Sequence, residues 1–335
     1  GGGSIGSELC RQIARLMPRK LVVLERSEFN LFSVERELRK YFPDLALEVA
    51  LVDVCDSISV EKTLKSHVPD IIFHAAAYKH VPMLEAQTRA AAVNNIFGTA
   101  TISRLAEKFG CKSFVLISTD KAVNPANTMG ATKRVAEMIC QHQSTRSPTK
   151  YITVRFGNVM GSSGSVIPLF QDQIAHGGPV TVTHPDVTRY FMTIPEACQL
   201  ILQASVIGRG GEIFVLDMGD PVRIAYLAEQ MVRLSGKIPG EDIEIVYTGL
   251  RPGEKLEEEL FHVSEHLAKT KYSKILLASS CTVDGKLLEK MLAEIDRACA
   301  DGDDERIRKL IAELALGRSP AVVVTNHTHD ALATR

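Results

Sequence analysis

Gly1-Gly2-Gly3-Ser4-Ile5-Gly6 leads straight into residues where Leu9, Ile13 and Leu16 recur at helical spacing, and residues 20–24 (KLVVL) then form a β-rich run that ends in Glu25. Glycines that open an amphipathic helix leave the backbone bare enough for a pyrophosphate to approach, and the helix N-terminus offers it unpaired N–H groups. Taken alone, the same glycines fit a flexible Gly-Ser expression scar equally well. The residues that follow separate the two. Glu25 stands 19 residues after Gly6, where a dinucleotide-binding βαβ unit places an acid against the ribose hydroxyls.

Further strands extend the pattern. Residues 46–52 run to Asp53 and Val54, a position suited to the adenine edge, and residues 70–74 run into Ala75-Ala76-Ala77, small enough to let a cofactor approach. A helix over 83–109, a strand over 113–118, a helix over 128–142 and a strand over 151–156 continue the alternation. Strands alternating with helices predict an α/β protein, a Rossmann-type doubly wound parallel sheet with a smaller C-terminal substrate-binding lobe. Such a sheet carries a central strand ahead of its glycine loop, in the order 3-2-1-4-5-6. None precedes Gly1, so the sequence is expected to be N-terminally incomplete, with upstream segments, membrane-spanning ones included, outside it.

After Asn158 the texture changes. Gly161-Ser162-Ser163-Gly164-Ser165 reads as a loop, and Gly177-Gly178-Pro179 breaks the chain before a strand at 180–183. A helix at 195–206, a strand at 212–216, a helix at 224–234 and strand-like residues 243–247 follow. Residues 285–315 are charged and helical, broken at Asp301-Gly302-Asp303-Asp304. Residues 1–156 with about 186–218 are expected to form the nucleotide-binding domain, 157–185 with 219–280 a sugar-nucleotide lobe, and 281–335 a helical extension with a mobile tail.

Composition removes other classes. Lys plus Arg number 39 against 40 Asp plus Glu, so no cationic excess exists to neutralise a nucleic-acid backbone. Apolar runs such as 114–117 fall far short of the roughly 20 residues that span a bilayer. Seven scattered cysteines without a Cys-x-x-Cys pair make neither a disulfide framework nor a zinc site, and they suit a reducing cytosol.

The chemistry concentrates in Ser118-Thr119-Asp120-Lys121 at the end of an apolar strand, followed by Met129-Gly130-Ala131-Thr132-Lys133 on a helix. Carboxyl ends of strands line the ligand crevice in open α/β sheets. Singly, each residue has a plain explanation: a polar turn, a core methionine, and a surface Lys133 paired with Glu137 at i+4. Together they resemble the extended short-chain dehydrogenase/reductase superfamily, whose members carry Ser/Thr after this strand and Tyr-x-x-x-Lys on the next helix. Here the pattern is Met129-x-x-x-Lys133, and a thioether cannot move the proton that tyrosine handles. With the Thr-Asp-Lys triplet, this variant resembles UDP-N-acetylglucosamine 4,6-dehydratases of polysaccharide and glycan synthesis. Further matching stretches are HAAAYKHVPMLE (74–85), NNIFGT (94–99), RFGNVMG (155–161), SVIP (165–168), RYFMTIPE (189–196) and LRPGEK (250–255). The resemblance covers about residues 1–272.

That resemblance implies a ketone formed transiently at C-4 of the sugar, water lost across C-5/C-6, and hydrogen returned to C-6. It gives Thr119 the 4-hydroxyl, Asp120 the acid role at the 6-oxygen, Lys121 the base role at C-5, Met129 the vacated tyrosine position, and Lys133 the nicotinamide ribose. Cofactor contacts fall to Gly3, Ser4, Ile5, Gly6, Glu25, Arg26, Asp53, Val54, Ala75, Ala76, Ala77 and Asn95. Substrate contacts fall to Lys79, Asn158, Ser165, Val166, Arg189, Arg251 and Glu254, with both arginines on the diphosphate. Outside that pattern, Arg251-Pro252-Gly253-Glu254 would be a turn before a helix whose Glu254 and Glu257–Glu259 face solvent. Glu25 favours NAD through the free 2′-hydroxyl, while Arg26 leaves NADP as the alternative. No metal is expected. The partner is UDP-N-acetylglucosamine, the expected assembly a homo-oligomer, and the location the cytoplasm or the cytoplasmic face of the inner membrane. A UDP-sugar epimerase and a non-catalytic dinucleotide sensor or scaffold are the competing expectations.

Overall fold

The structure is a computed structural model that describes residues 1–262, 265–278 and 283–317. The tail expected to be mobile, from Arg318, lies outside the described residues, as does Cys281.

Strands β1 (Leu21–Glu25) and β2 (Leu47–Leu51) pair in parallel. Strands β3 (Ile71–His74), β4 (Ser113–Ile117), β5 (Lys150–Arg155) and β6 (Ile213–Leu216) form a parallel array, extended antiparallel by β7 (Leu267–Lys269) and β8 (Ile275–Ala278) in the order β7-β8-β6-β5-β4-β3. Among the described residues no ladder joins β1 or β2 to β3. Strands β4, β5 and β6 are apolar nearly throughout because both faces are covered. Val115, Ile152, Val154, Phe214 and Leu216 meet helix α1 (Ser4–Arg15) and the helix Ile194–Ile207 on one side. Phe114, Leu116 and Tyr151 meet the helices Ser57–His67, Gly98–Lys108 and α2 (Thr128–Ser144) on the other. The alternation follows from successive strand side chains pointing to opposite faces.

The helix expected over 83–109 is four pieces: Val81–Glu85, Thr88–Ala91, a π-turn at Ala92–Phe97, and Gly98–Lys108. The wider turn carries Asn95, whose Oδ1 accepts from the Tyr78 N–H at 2.8 Å and whose Nδ2 donates to the Tyr78 carbonyl at 3.0 Å and to Thr132 Oγ1 at 3.0 Å. A π-bulge at a functional segment is a common use of that irregularity. Here it ties the end of β3 to α2.

The smaller lobe packs Val166–Ala175 and Ile224–Leu234 over the parallel pair Val180–Val182 and Ile245–Tyr247, around Phe170, Ile174, Val187, Ala228 and Ile243. Two features of the following segment correct the sequence reading. Residues 251–262 form turns and bends rather than a helix, and Glu258 is buried, so Glu257–Glu259 is not a uniform solvated face. Residues 267–278, placed with the smaller lobe, add two strands to the edge of the large sheet instead.

Helices α3 (Gly285–Asp301) and α4 (Asp304–Ala315) close the described chain. Gly302 at φ +72 ends α3 in the left-handed conformation, and Asp303 caps α4 by accepting the Arg306 N–H. Their apolar faces, with Leu288, Ile295, Ile307 and Ile311, cover Ala131, Val135 and Ile139 of α2.

Candidate active site

Helix α1 begins at Ser4, with Gly3 as its N-cap and no side chain capping the first turn. A Cβ on Gly6 would lie 2.6 Å from the Gly1 carbonyl oxygen, and one on Gly2 would lie 2.6 Å from Asn30 Cβ. At Gly3 nothing stands within 4 Å. The loop is therefore packed from behind and open at Gly3, where the uncapped helix N–H groups point. Glu25 closes the other side: Oε2 accepts the Gly2 N–H at 2.7 Å, and Oε1 accepts the N–H groups of Arg26 and Ser27. An uncapped helix start, an open glycine and an anionic carboxylate at the next strand end fit a dinucleotide.

Arg26 lies over the Tyr78 ring, 4.4 Å from its centroid, bonds the Tyr78 hydroxyl, and stands 3.6 Å from Asp53 Oδ2. Asp53 and buried Val54 follow β2. Ala75 and Ala76 are half-buried and Ala77 is exposed beyond β3.

The reacting groups gather beyond β4. Thr119 caps a single 3-10 turn at Asp120–Ala122, and its hydroxyl donates to Asp120 Oδ1 at 2.8 Å. Asp120 is fully buried, and its Oδ2 has no hydrogen-bond partner. A Cβ on Gly157 would approach that oxygen to 3.0 Å, so the glycine keeps it clear. Lys121 Nζ donates to Asp120 Oδ1 at 3.0 Å and to Asn158 Oδ1 at 3.2 Å. Glu258 Oε1 stands 3.8 Å from the same nitrogen. Burial and the Asp120 charge raise the Glu258 carboxyl, against the pull of Lys121, Arg189 and Lys255.

On α2, Gly130 has no room for a Cβ because the Lys121 carbonyl oxygen occupies it, so the helix presses directly on the turn. Met129 is buried among Leu84, Ala91, Tyr78 and Val81. Lys133 is 4% exposed and makes no hydrogen bond or ion pair among the described residues. Burial lowers it to about 8, opposed by the Glu137 charge. The surface Lys133–Glu137 pair is absent, because Glu137 turns inward to Arg155, Arg134 and Ser118.

Arg189 and Glu254 meet at 3.1 Å, and Arg189 Nη1 also donates to the carbonyls of Thr188 and Leu256. Glu254 accepts as well from Thr183 Oγ1 and the Arg251 N–H, while the Arg251 side chain is exposed. Lys79 Nζ donates to Ser162 Oγ and the Ser163 carbonyl, and the Ser163 N–H donates to Ser4 Oγ, which brings the 161–165 loop against the glycine loop. Ser165 Oγ is buried without a partner at the start of the helix bearing Val166.

The structure thus brings together Thr119, Asp120, Lys121 and Asn158, and separately Arg189, Arg251 and Glu254. Met129 stays in its own apolar cluster. Glu258 is the group sequence reasoning missed: three consecutive glutamates read as a charged face, and only the tertiary fold buries the middle one.

The fold is a Rossmann-like α/β fold, and its glycine loop and Glu25 fit a dinucleotide. The chain belongs to the polysaccharide biosynthesis protein family, whose profile matches residues 1–280. Over 276 residues it is 50% identical to the capsular polysaccharide biosynthesis protein CapD of Staphylococcus aureus, covering 82% of this chain and 46% of that protein. The chain therefore spans about half the length of that relative. Pen from Bacillus thuringiensis superposes with a TM-score of 0.75 at 34% identity, over 82% of this chain and 83% of that one. DesIV of Streptomyces venezuelae, a dTDP-glucose 4,6-dehydratase solved with NAD bound, superposes at 0.68 with 23% identity, over 78% and 86%. Among the described residues no helix is long and apolar enough to cross a membrane, and no cluster of His, Cys, Asp and Glu could hold a metal.

Proposed function

We propose that this chain carries a UDP-N-acetylglucosamine 4,6-dehydratase site, yielding UDP-4-keto-6-deoxy-N-acetylhexosamine. The observation that carries this reading is the Thr119–Asp120–Lys121 chain of hydrogen bonds, with Asp120 Oδ2 left free. The cofactor is NAD, with Glu25 on its adenosine ribose, the Gly3–Gly6 backbone on its pyrophosphate and Lys133 on its nicotinamide ribose. Bound there, NAD would supply a hydride acceptor for C-4 and the donor for C-6, with no net redox.

The side chains supply the proton steps. The Thr119 hydroxyl meets the sugar 4-hydroxyl, and a proton arriving there has Asp120 Oδ1 as its next acceptor 2.8 Å away. Asp120 holds that proton and delivers it to the departing 6-oxygen, which replaces the route a tyrosine at 129 would have given. Lys121 removes the C-5 proton and later restores it. Asn158 orients Lys121. Arg251 and Arg189 meet the diphosphate, Glu254 the uridine ribose, and Lys79, Ser165 and Val166 the 161–168 side of the nucleotide. Residues 1–156 with 186–218 serve the cofactor, and 157–185 with much of 219–262 serve the sugar nucleotide. A cytoplasmic location and a homo-oligomeric assembly belong to the same reading.

Incubation with UDP-N-acetylglucosamine and NAD, read by mass spectrometry, tests it. Loss of one water supports the dehydratase. A product of unchanged mass but altered sugar configuration makes the site an epimerase, and bound but unaltered nucleotide makes it a sensor.

A further inference from the structure

Glu258 has no task in the reaction just described, yet it is the only other carboxyl that pairs with Lys121 among the described residues. It arrives from the 251–262 loop, and its side chain is 3% exposed with Oε1 3.8 Å from Lys121 Nζ. That separation is an ion pair rather than a hydrogen bond, and a turn of the lysine end or one bridging water closes it.

The chemistry at C-5 requires something of this kind. Lys121 donates to Asp120 and Asn158, and an ammonium has no lone pair with which to take a proton from carbon. One of its protons must leave first. Asp120 is the nearer acceptor, but in the proposed reaction it is filled by the proton from the 4-hydroxyl. Glu258 is the carboxyl that remains.

We infer that Glu258 takes the proton Lys121 must shed, so that the pair alternates between ammonium–carboxylate and amine–carboxylic acid while sharing one proton. This rests on the dehydratase reading and deepens it. A Lys121 N–H bond breaks and a Glu258 O–H bond forms. The freed amine then takes the C-5 hydrogen as a proton, and the C–H electron pair moves into the 4-ketone as an enolate. The enolate expels the 6-oxygen, which leaves as water with the proton held on Asp120. Once hydrogen has returned to C-6, Lys121 gives its proton back to C-5, and Glu258 returns the one it stored. Every proton is accounted for within the site.

The surroundings raise the Glu258 carboxyl. Burial disfavours a charged carboxylate, and Asp120 adds to that effect on Glu258 while Lys121, Arg189 and Lys255 oppose it. Glu258 acts through Lys121, so it is a positioning residue.

The test isolates the base step. The NAD-loaded protein is mixed with UDP-N-acetylglucosamine carrying deuterium at C-5, and loss of water in a single turnover is followed by mass spectrometry across the neutral pH range. The wild-type rate should vary little with pH, because the proton moves within the pair while Asp120 is filled. In Glu258→Gln the proton must go to solvent, so water loss should slow about 100-fold near neutrality and speed up about tenfold per pH unit. Glu258→Asp should restore the flat profile. Calorimetry with UDP should give the same affinity for all three proteins. A Glu258→Gln profile parallel to wild type, whether at full rate or uniformly lowered, overturns the inference. A wild type whose own rate rises about tenfold per pH unit also overturns it. A wild type that loses no water overturns the dehydratase reading, and this inference with it.

Discussion

Arg155 closes on Glu137 through Nε and Nη2, both at 2.7 Å, with neither side chain exposed to solvent. The remaining arm of the guanidinium reaches Glu265 at 2.9 Å, and Ser118, one residue ahead of the reacting turn, donates to Glu137 Oε1 at 2.7 Å. Strand β5 and helix α2 are thus bolted together through one buried cation. Truncating one partner of such a pair leaves an uncompensated buried charge, which typically costs about 3–5 kcal/mol. Arg155→Leu should lose an amount of that order in urea unfolding. Burial raises Glu137, but Arg155 and Arg134 outweigh it and hold the carboxyl low. A depressed carboxylate stabilises the fold above its unfolded value of about 4.3 and loses that contribution as pH falls toward the lowered folded value. Wild-type unfolding midpoints should therefore drop below about pH 4, and the drop should be shallower in Arg155→Leu.

Lys133 has the opposite sign. Burial disfavours its ammonium and brings it to about 8, below the unfolded value of about 10.4. Between those two values the unfolded chain holds more protons than the folded one, so stability should rise with pH across that window. Lys133→Met should abolish the rise and leave the thermal midpoint at pH 7 unchanged or higher, while NAD retention and turnover are lost. A residue that costs stability and is needed for binding has that profile. A lower midpoint in the variant would instead make Lys133 a structural residue.

In the proposed reaction Asp120 and Lys121 carry the proton steps, and general acid or base groups contribute about 10²–10⁴-fold each. Asp120→Asn and Lys121→Ala should each lower kcat for UDP-N-acetylglucosamine by that order. Neither should unfold the chain, since Asp120 Oδ2 satisfies no protein donor and Lys121 is bonded by side chains of the same site. Full turnover in either variant would refute the role assigned to it.

How far this site was legible depends on whether a residue's environment is local. Strand ends at Glu25, His74 and Ile117 fall where apolar runs meet polar residues, and the structure agrees within a residue or two. The glycine loop and the Thr119–Lys121 turn were readable because their chemistry sits at a strand end. The break of the 83–109 helix was not, because the π-turn is held by Asn95 reaching Tyr78, 17 residues away. Leu267–Lys269 and Ile275–Ala278 are too short to show a period, and pairing of β8 with β6 and of β7 with β8 defines them. Glu137 stands one helical turn from Lys133, so a surface pair was the natural local expectation. Its actual partner, Arg155, lies on another strand.

The glycine loop offers a comparison between two positions of the same motif. A Cβ at Gly6 would sit 2.6 Å from the Gly1 carbonyl oxygen and would displace the loop. A Cβ at Gly3 would touch nothing in the protein, and Gly3 has an ordinary extended backbone, φ −73 and ψ 173. Gly3→Ala should therefore cost stability no more than an N-cap change, under about 1 kcal/mol. Yet its methyl would fill the one open face, directly over the uncapped amides of α1. If a pyrophosphate docks there, Gly3→Ala should weaken NAD binding by calorimetry at least tenfold with a nearly unchanged melting temperature, whereas Gly6→Ala should lower both. The same titration with NADP separates the cofactors, and tighter NADP binding would shift the ribose contact from Glu25 to Arg26. A Gly3→Ala protein that binds NAD like wild type would mean that the pyrophosphate does not sit on this helix start.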